Sequence, residues 1–86
     1  MCSSQSLFSV LRLRVVADAD PGAIARVLDR FQNLNIIPRR VSAEFGVDER
    51  LHIEVDVCGV PRDQMDIIAG TVRRAVSVTG VHWHPL

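Results

Sequence analysis

The apolar residues of this chain switch between two repeating patterns, and this switch restricts the fold more than any other feature. From 11 to 17, and again from 51 to 57, an apolar residue occupies every second position. A period of two is typical of a strand with one buried face. Between these stretches the apolar residues recur every three or four positions, which is typical of a helix packed on a core. The residues of this stripe are Ile24, Val27, Leu28, Phe31 and Leu34.

A second stripe at helical spacing follows the second alternating stretch and predicts a helix over 62–76. The residues of this stripe are Met65, Ile68, Val72, Ala75 and Val76. The predicted order of elements is therefore strand, helix, strand, strand, helix, strand. The four predicted strands span 7–17, 36–45, 51–58 and 78–83.

This order predicts the architecture. Two helices with one apolar stripe each can cover the same face of a four-stranded sheet, which makes two layers. Right-handed crossovers then place the first and third strands at the centre. The predicted fold class is α+β: a ferredoxin-like βαββαβ two-layer sandwich, with a four-stranded antiparallel sheet and two helices on one face.

Local signals predict the ends of the first helix. Asp20 is a candidate N-cap, because its carboxylate can accept hydrogen bonds from the unpaired amides of the first turn. Pro21 suits the first helical position, where its missing N–H is not needed. Asn33 and Asn35 suit the other end, since Asn tolerates left-handed backbone geometry.

The second predicted strand contains Pro38, which cannot donate a hydrogen bond to a neighbouring strand. This strand is therefore predicted to lie at an edge of the sheet. Val41, Ala43 and Phe45 alternate along it and are predicted to face inward.

The chain has 86 residues, enough for one domain with one core. Residues 1–6 are polar and are predicted to be a flexible N-terminus, and 7–86 to be a single domain. A domain this small buries only about 60% of its unfolded surface. Association with another chain would add buried apolar area, so an oligomer is expected.

Charge excludes one large class of partner. The formal net charge is zero, and all ten basic residues are Arg. A nucleic-acid-binding domain typically carries a basic surplus on one face. No nucleic-acid partner is therefore predicted.

The cellular location is predicted from the absence of three features, which are a signal peptide, a membrane span and a disulfide framework. Residues 1–6 have neither the basic start nor the apolar run of a signal peptide, and no stretch approaches the ~20 apolar residues of a membrane span. Cys2 and Cys58 do not make the disulfide framework of a small secreted protein. The absence of these features predicts a cytoplasmic protein with reduced thiols and no membrane partner.

The most informative segment for function is the turn of residues 18–22, here called the elbow. Gly22 permits close approach of a ligand to the backbone. The helix start behind it offers free N–H groups and a partial positive charge, which suit a carboxylate. The alternative is a capped strand-to-helix turn that binds nothing, and on this feature alone both interpretations stay open.

The run Asp20-Pro21-Gly22-Ala23-Ile24-Ala25-Arg26-Val27, followed by Phe31 and by Leu34-Asn35-Ile36-Ile37, resembles the signature of ACT domains. The later elements match in order and length, so the resemblance covers roughly 8–84. Among ACT proteins the chain is most similar to the short regulatory subunits of acetolactate synthase.

This resemblance implies a non-catalytic regulatory module that binds an amino acid between paired copies. The copies would join side by side through their second strands and first helices, and the pair would act on a large catalytic enzyme subunit. The resemblance implies an effector site made of Ala19, Asp20, Pro21, Gly22, Ala23, Asn35, Ile36 and Ile37.

Within that implied site, the amides of Gly22 and Ala23 would bind the effector carboxylate. Asn35 of the neighbouring copy would contact the effector's polar end, with Ile36 and Ile37 near its side chain. The chain departs from the family at Ala19, where an Asp or Asn often helps to hold the ligand amine. A structural subunit that stabilises or activates a catalytic chain, and binds no effector, is the alternative.

Two other groups of polar residues do not predict a site. His82 and His84 share one strand face and resemble a pair of metal ligands, but two ligands do not make a site and a solvated strand end is predicted instead. Glu54 and Asp56 are predicted to pair with arginines and not to form a catalytic acid pair. No catalytic residue, metal or cofactor is expected.

Overall fold

The computed structural model describes residues 10–86 as a four-stranded antiparallel sheet with two helices. The strand order across the sheet is β2-β3-β1-β4, so β1 and β3 are central. This confirms the predicted fold class and the predicted positions of the strands. The elements are β1 Val10–Asp18, α1 Ala23–Asn33, β2 Arg40–Phe45, β3 Arg50–Cys58, α2 Arg62–Arg73 and β4 Val78–Pro85.

The core lies between the sheet and the two helices. On β1 every second side chain is buried, and on β3 the core side buries Ile53, Val55 and Val57. Leu13 and Val55 are directly opposite each other in the register. Phe31 of α1 and Met65 of α2 are fully buried against this surface. The other buried core residues include Leu11, Val15, Val27, Ile53, Val57, Ile68, Ala69 and Val72.

The start of α1 differs from the prediction. The helix begins at Ala23 with Gly22 as its N-cap, and no side chain caps it. Asp20 as N-cap and Pro21 as first helical residue were therefore wrong by two positions. The reason is that the Asp20 carboxylate accepts a hydrogen bond from the Gly22 amide, before the helix starts. At the other end Asn35 has a φ of 56°, as predicted for a left-handed position.

The second strand is shorter than predicted, because it begins at Arg40 and not at 36. It does lie at an edge of the sheet, as Pro38 indicated. Val41, Ala43 and Phe45 are on the helix side of the sheet, opposite the buried residues of β3, but all three are exposed. Their predicted inward direction is confirmed, but a single chain leaves these three side chains uncovered.

Two other apolar residues predicted to be buried are exposed. Leu34 lies just after α1 and is exposed, and Val76 is 73% exposed because α2 ends at Arg73. The last strand continues to Pro85, two residues beyond the prediction. The spacing of apolar residues predicted which residues form each helical stripe. The last buried residue of each stripe depends on where the helix ends against the sheet.

The predictions for residues 1–6, Cys2 and the first positions of β1 lie outside the described residues. Cys58, at the end of β3, is disulfide-bonded, which contradicts the predicted reduced thiol. Within residues 10–86, neither helix has the length and the apolar character needed to span a membrane.

Candidate functional site

The predicted site residues lie at opposite ends of α1. The elbow joins β1 to the start of α1, and 35–37 joins its end to β2. Eleven helical residues separate them, a distance of about 16 Å at the usual helical rise. One chain therefore does not bring the two groups together, and a single site made of both needs a second copy.

Asp20 is the centre of the elbow. Its Oδ1 accepts a hydrogen bond from the Gly22 amide at 3.0 Å. Its Oδ2 accepts one from the Ser77 hydroxyl at 2.7 Å and another from the Arg26 guanidinium. Its main-chain oxygen accepts a hydrogen bond from the Ala23 amide at 3.0 Å. The bonds from Arg26, Gly22 and Ser77 hold the pKa of Asp20 well below its usual range.

Both amides assigned to an effector carboxylate therefore have acceptors within the chain. A carboxylate that reached the Gly22 amide would have to replace the side chain of Asp20. The Asp20 carboxylate occupies the Gly22 amide, and the Asp20 main-chain oxygen occupies the Ala23 amide. The binding role of Gly22 and Ala23 stays a prediction.

Sequence reasoning missed Arg26 and Ser77 as elbow residues. Arg26 is one turn into α1 and was assigned only to the helix. Ser77 lies 57 positions from Asp20, and its φ of 77° indicates a tight turn between α2 and β4. No local pattern could have predicted a contact at this separation.

The remaining predicted residues differ in their exposure. Ala19 and Pro21 are exposed and Ala19 offers no polar side chain. The amide of Asn35 donates to Gln32, and that of Ile36 donates to Phe31. Ile36 packs partly on the core, whereas Ile37 is 88% exposed. Ile37 is therefore the residue of this group that is best placed to contact another molecule.

The sheet face away from the helices carries paired charges, as predicted. Arg12 donates two hydrogen bonds to Asp56, at 2.7 and 2.9 Å. Arg14 lies 3.0 Å from Glu54, and Arg40 lies within 4.0 Å of both carboxylates. Asp56 is only 4% exposed, and its hydrogen bonds from Arg12 lower its pKa. These carboxylates are held in ion pairs, which is the predicted alternative to a catalytic acid pair.

His82 and His84 also lie on this face, with ring centroids 6.3 Å apart and nearly parallel planes. In residues 10–86 no three metal-binding side chains come close enough to hold an ion. The two imidazoles thus stand as a stacked pair on strand β4.

Solved structures of low sequence identity share the fold. The C-terminal domain of the MgtC protein from Mycobacterium tuberculosis is 16% identical, with a TM-score of 0.78, over 98% of this chain and 94% of that one. The ACT domain of a GTP pyrophosphokinase from Chlorobium tepidum is 12% identical, with a TM-score of 0.75, over 90% and 99%. At these identities the likeness shows the fold alone.

The regulatory subunit of aspartate kinase from Thermus flavus is 14% identical, with a TM-score of 0.67, over 91% of this chain and 52% of that one. No curated protein matches the sequence. The sequence does match the family described as "ACT-like domain" over residues 4–86. Such a domain is commonly a ligand-binding regulatory module and is not catalytic by itself. With this match over nearly its whole length and the βαββαβ sandwich of the family, the chain belongs to the ACT-like domain family.

Proposed function

We propose that this chain is a regulatory module that pairs with a second copy of itself and binds a small amino-acid effector between the copies. The observation that carries the proposal is an exposed apolar surface next to the predicted effector residues. This surface, the β2 strip, consists of Leu34, Ile37, Val41 and Phe45.

The β2 strip has two properties that suit contact with a second copy, which are exposed apolar side chains and an unpaired strand edge. Val41 and Phe45 continue the core side of the sheet beyond the cover of the helices, and they are 43% and 60% exposed. β2 is also an edge strand, with unpaired backbone groups along one side. A second copy with the same strip would cover the apolar side chains and satisfy the backbone groups in one symmetric contact.

Such a contact would also supply what one chain lacks. Ile37, in the strip, would lie at the junction of the two copies together with Asn35. In this arrangement the elbow of one copy and residues 35–37 of the other enclose the effector, which removes the separation of about 16 Å along α1. The effector class is a small amino acid, as the resemblance implies, and its carboxylate would compete with the Asp20 side chain for the Gly22 amide.

A finer proposal concerns the partner enzyme. The resemblance to the short regulatory subunits of acetolactate synthase suggests a large catalytic subunit of that enzyme, in branched-chain amino-acid synthesis, and a cytoplasmic location. Mixing the purified chain with the large synthase subunit of the same organism tests this. The proposal expects co-elution and a changed synthase rate, and separate elution with an unchanged rate would contradict it.

Pairing is tested by the molar mass in solution, measured by light scattering over a range of concentrations. The intact chain is expected to be a dimer or larger, and Ile37→Ser is expected to shift it toward the monomer. Ile67→Ser is the matched control, since Ile67 is 67% exposed on α2 and far from the strip in sequence. A monomeric intact chain, or equal effects of the two variants, would contradict pairing through the β2 strip.

Effector binding is tested by calorimetry with valine, leucine, isoleucine and other common amino acids at millimolar concentration. Saturable heat with at least one of them is expected, and Ile37→Ser should weaken it. No heat and no thermal shift with any of them would reject the effector.

One observation favours the alternative of a structural subunit that binds no effector. The Gly22 and Ala23 amides are both bonded to Asp20 in the single chain. A chain that co-elutes with its catalytic partner, and gives no heat with any amino acid, would support this alternative.

A further inference from the structure

A depression of about 180 Å³ opens on the sheet face away from the helices, and its lining contains no residue of the elbow or of the β2 strip. We propose that it is a second ligand site, which binds a small carboxylate and is complete within one chain. The depression is lined by Arg14, Val15, Val16, His52, Ile53, Glu54 and His82.

The donors beside the depression suit an anion. An ion-pair network runs along this face; its members are Arg12, Arg14, Arg40, Glu54 and Asp56. Two further carboxylates lie beside His52, because Glu44 is opposite it in the register and Asp48 is hydrogen-bonded to it. An anion would therefore enter on the side where Arg14 and His82 present their N–H groups.

Arg14 is the member of the network whose ion pair leaves guanidinium N–H groups unused. Arg12 uses two nitrogens on Asp56, whereas Arg14 has one close approach to a carboxylate within residues 10–86, from Nη2 to Glu54 at 3.0 Å. Its side chain is 49% exposed. Because a guanidinium has five donors in a planar fork, Arg14 can keep this ion pair and still bind a carboxylate.

His82 supplies a second donor beside Arg14. The two residues are directly opposite each other in the pairing of β1 with β4. Within residues 10–86 the His82 ring stacks on His84 and makes no hydrogen bond to another side chain. His52, by contrast, is bonded to both carboxylate oxygens of Asp48 at 3.1 Å.

The size of the depression limits the ligand. A volume of 180 Å³ corresponds to roughly six water molecules. Pockets for drug-sized ligands are about 300–1,000 Å³. The floor includes Val16, which suits a short apolar group beside the carboxylate. Acetate and small α-amino acids are therefore the ligands that this volume and these donors admit.

The test is a titration of the full chain with sodium acetate, followed by backbone amide NMR shifts, with sodium chloride as the ionic-strength control. Saturable shifts in β1, β3 and β4 around the depression are expected, with a dissociation constant in the millimolar range. Glycine and methylammonium are titrated in the same way. Binding of glycine at least as tight as that of acetate assigns the site to amino acids, and weaker binding assigns it to simple carboxylates. Methylammonium is expected not to bind.

The variants use a matched pair of exposed arginines. Arg14→Gln is expected to weaken acetate binding by about tenfold, the loss of one charge-assisted hydrogen bond. Arg74→Gln, at an exposed arginine that does not line the depression, is expected to leave acetate binding unchanged. Arg14→Lys should retain part of the affinity, and His82→Gln is expected to weaken it several-fold. Amide spectra of each variant verify the fold.

The result that overturns the proposal is an absence of saturable shifts at this face, or equal acetate affinity of Arg14→Gln and the intact chain. The site does not require a second copy, so its affinity should not change in Ile37→Ser. An effector site between copies should be lost in that variant, which separates failure of this inference from failure of the proposed function.

Discussion

Asp20 shows how one side chain can connect distant parts of a small domain. Its carboxylate receives hydrogen bonds from the Gly22 amide, from Arg26 on α1 and from Ser77 before β4. The elbow is thereby tied both to the helix that follows it and to the other end of the chain. The same bonds determine whether an effector carboxylate can enter, because it must compete with Asp20 for its donors.

Replacement of Asp20 tests this connection. Asp20→Asn keeps an oxygen that can accept from Gly22 but loses the charge that pairs with Arg26. We expect a melting temperature a few degrees lower at pH 7, measured by circular dichroism. Asp29→Asn, on the exposed face of α1, is the control and should change it little. Equal melting temperatures for the two variants would show that the Asp20 bonds add nothing to stability.

The buried carboxylate of Asp56 predicts a pH dependence of stability. Asp56→Asn should lower the free energy of unfolding by roughly 1–3 kcal/mol at pH 7, because Arg12 loses its charged partner. The Asp56 pKa is lowered in the folded state. Its contribution is therefore fully present above the unfolded pKa of about 3.9, and it is lost as the pH falls further, through the folded pKa.

Urea unfolding at pH 7 and at about pH 3 measures this effect. The difference between the intact chain and Asp56→Asn should be smaller at the lower pH. Glu44→Gln is the control, since Glu44 is exposed on β2. A difference that is the same at both pH values would mean that the charge of Asp56 does not stabilise the fold.

At the scale of the elements, the helices show which positions packing determines. α1 and α2 each bury one stripe of apolar side chains against the core. Gly70 lies within α2, and a Cβ added there would have no atom within 4 Å. This glycine therefore has no packing reason to be small.

Gly70→Ala should raise the free energy of unfolding by about 0.5–1 kcal/mol, because Gly loses more backbone freedom than Ala when a helix forms. Gly46→Ala is the contrasting variant. A Cβ at Gly46 would lie 2.7 Å from Asp48 and 2.9 Å from His52. These exposed side chains would have to move and give up their hydrogen bond, so no gain in stability is expected. Chemical denaturation of both variants measures the effect, and a loss in Gly70→Ala would contradict the argument.

At the scale of the whole molecule, one small core supports both layers. Residues 10–86 contain a single cluster of buried apolar side chains between sheet and helices. Phe31 is among the largest of them and is fully buried. A domain of this size has a net stability of only about 5–10 kcal/mol, so the loss of one large core side chain removes much of it.

Phe31→Ala should therefore cost about 3–5 kcal/mol and leave the chain close to unfolding. Phe45→Ala is the matched control, because Phe45 is 60% exposed in one chain. Its cost should be small in dilute solution and should rise with protein concentration if copies pair through the β2 strip. Urea unfolding at two protein concentrations measures the cost of each variant. Equal costs of Phe31→Ala and Phe45→Ala would contradict the assigned core. A cost of Phe45→Ala that does not change with protein concentration would contradict pairing through the β2 strip.

The order of the elements, the central position of β1 and β3, and the helical stripes were predictable from the chain alone. They depend on periods of 2 and 3.6, which follow from the backbone geometry of each element. The elbow and Asn35 were also located in this way, because Pro, Gly and Asn restrict or extend the backbone locally. Only the tertiary structure decided which apolar residues are covered. Val41 and Phe45 have the right period, but they lie on an edge strand beyond the two helices. The partners of Asp20 likewise required the complete fold, since Ser77 meets it only after both crossovers have brought the ends of β1 and α2 together.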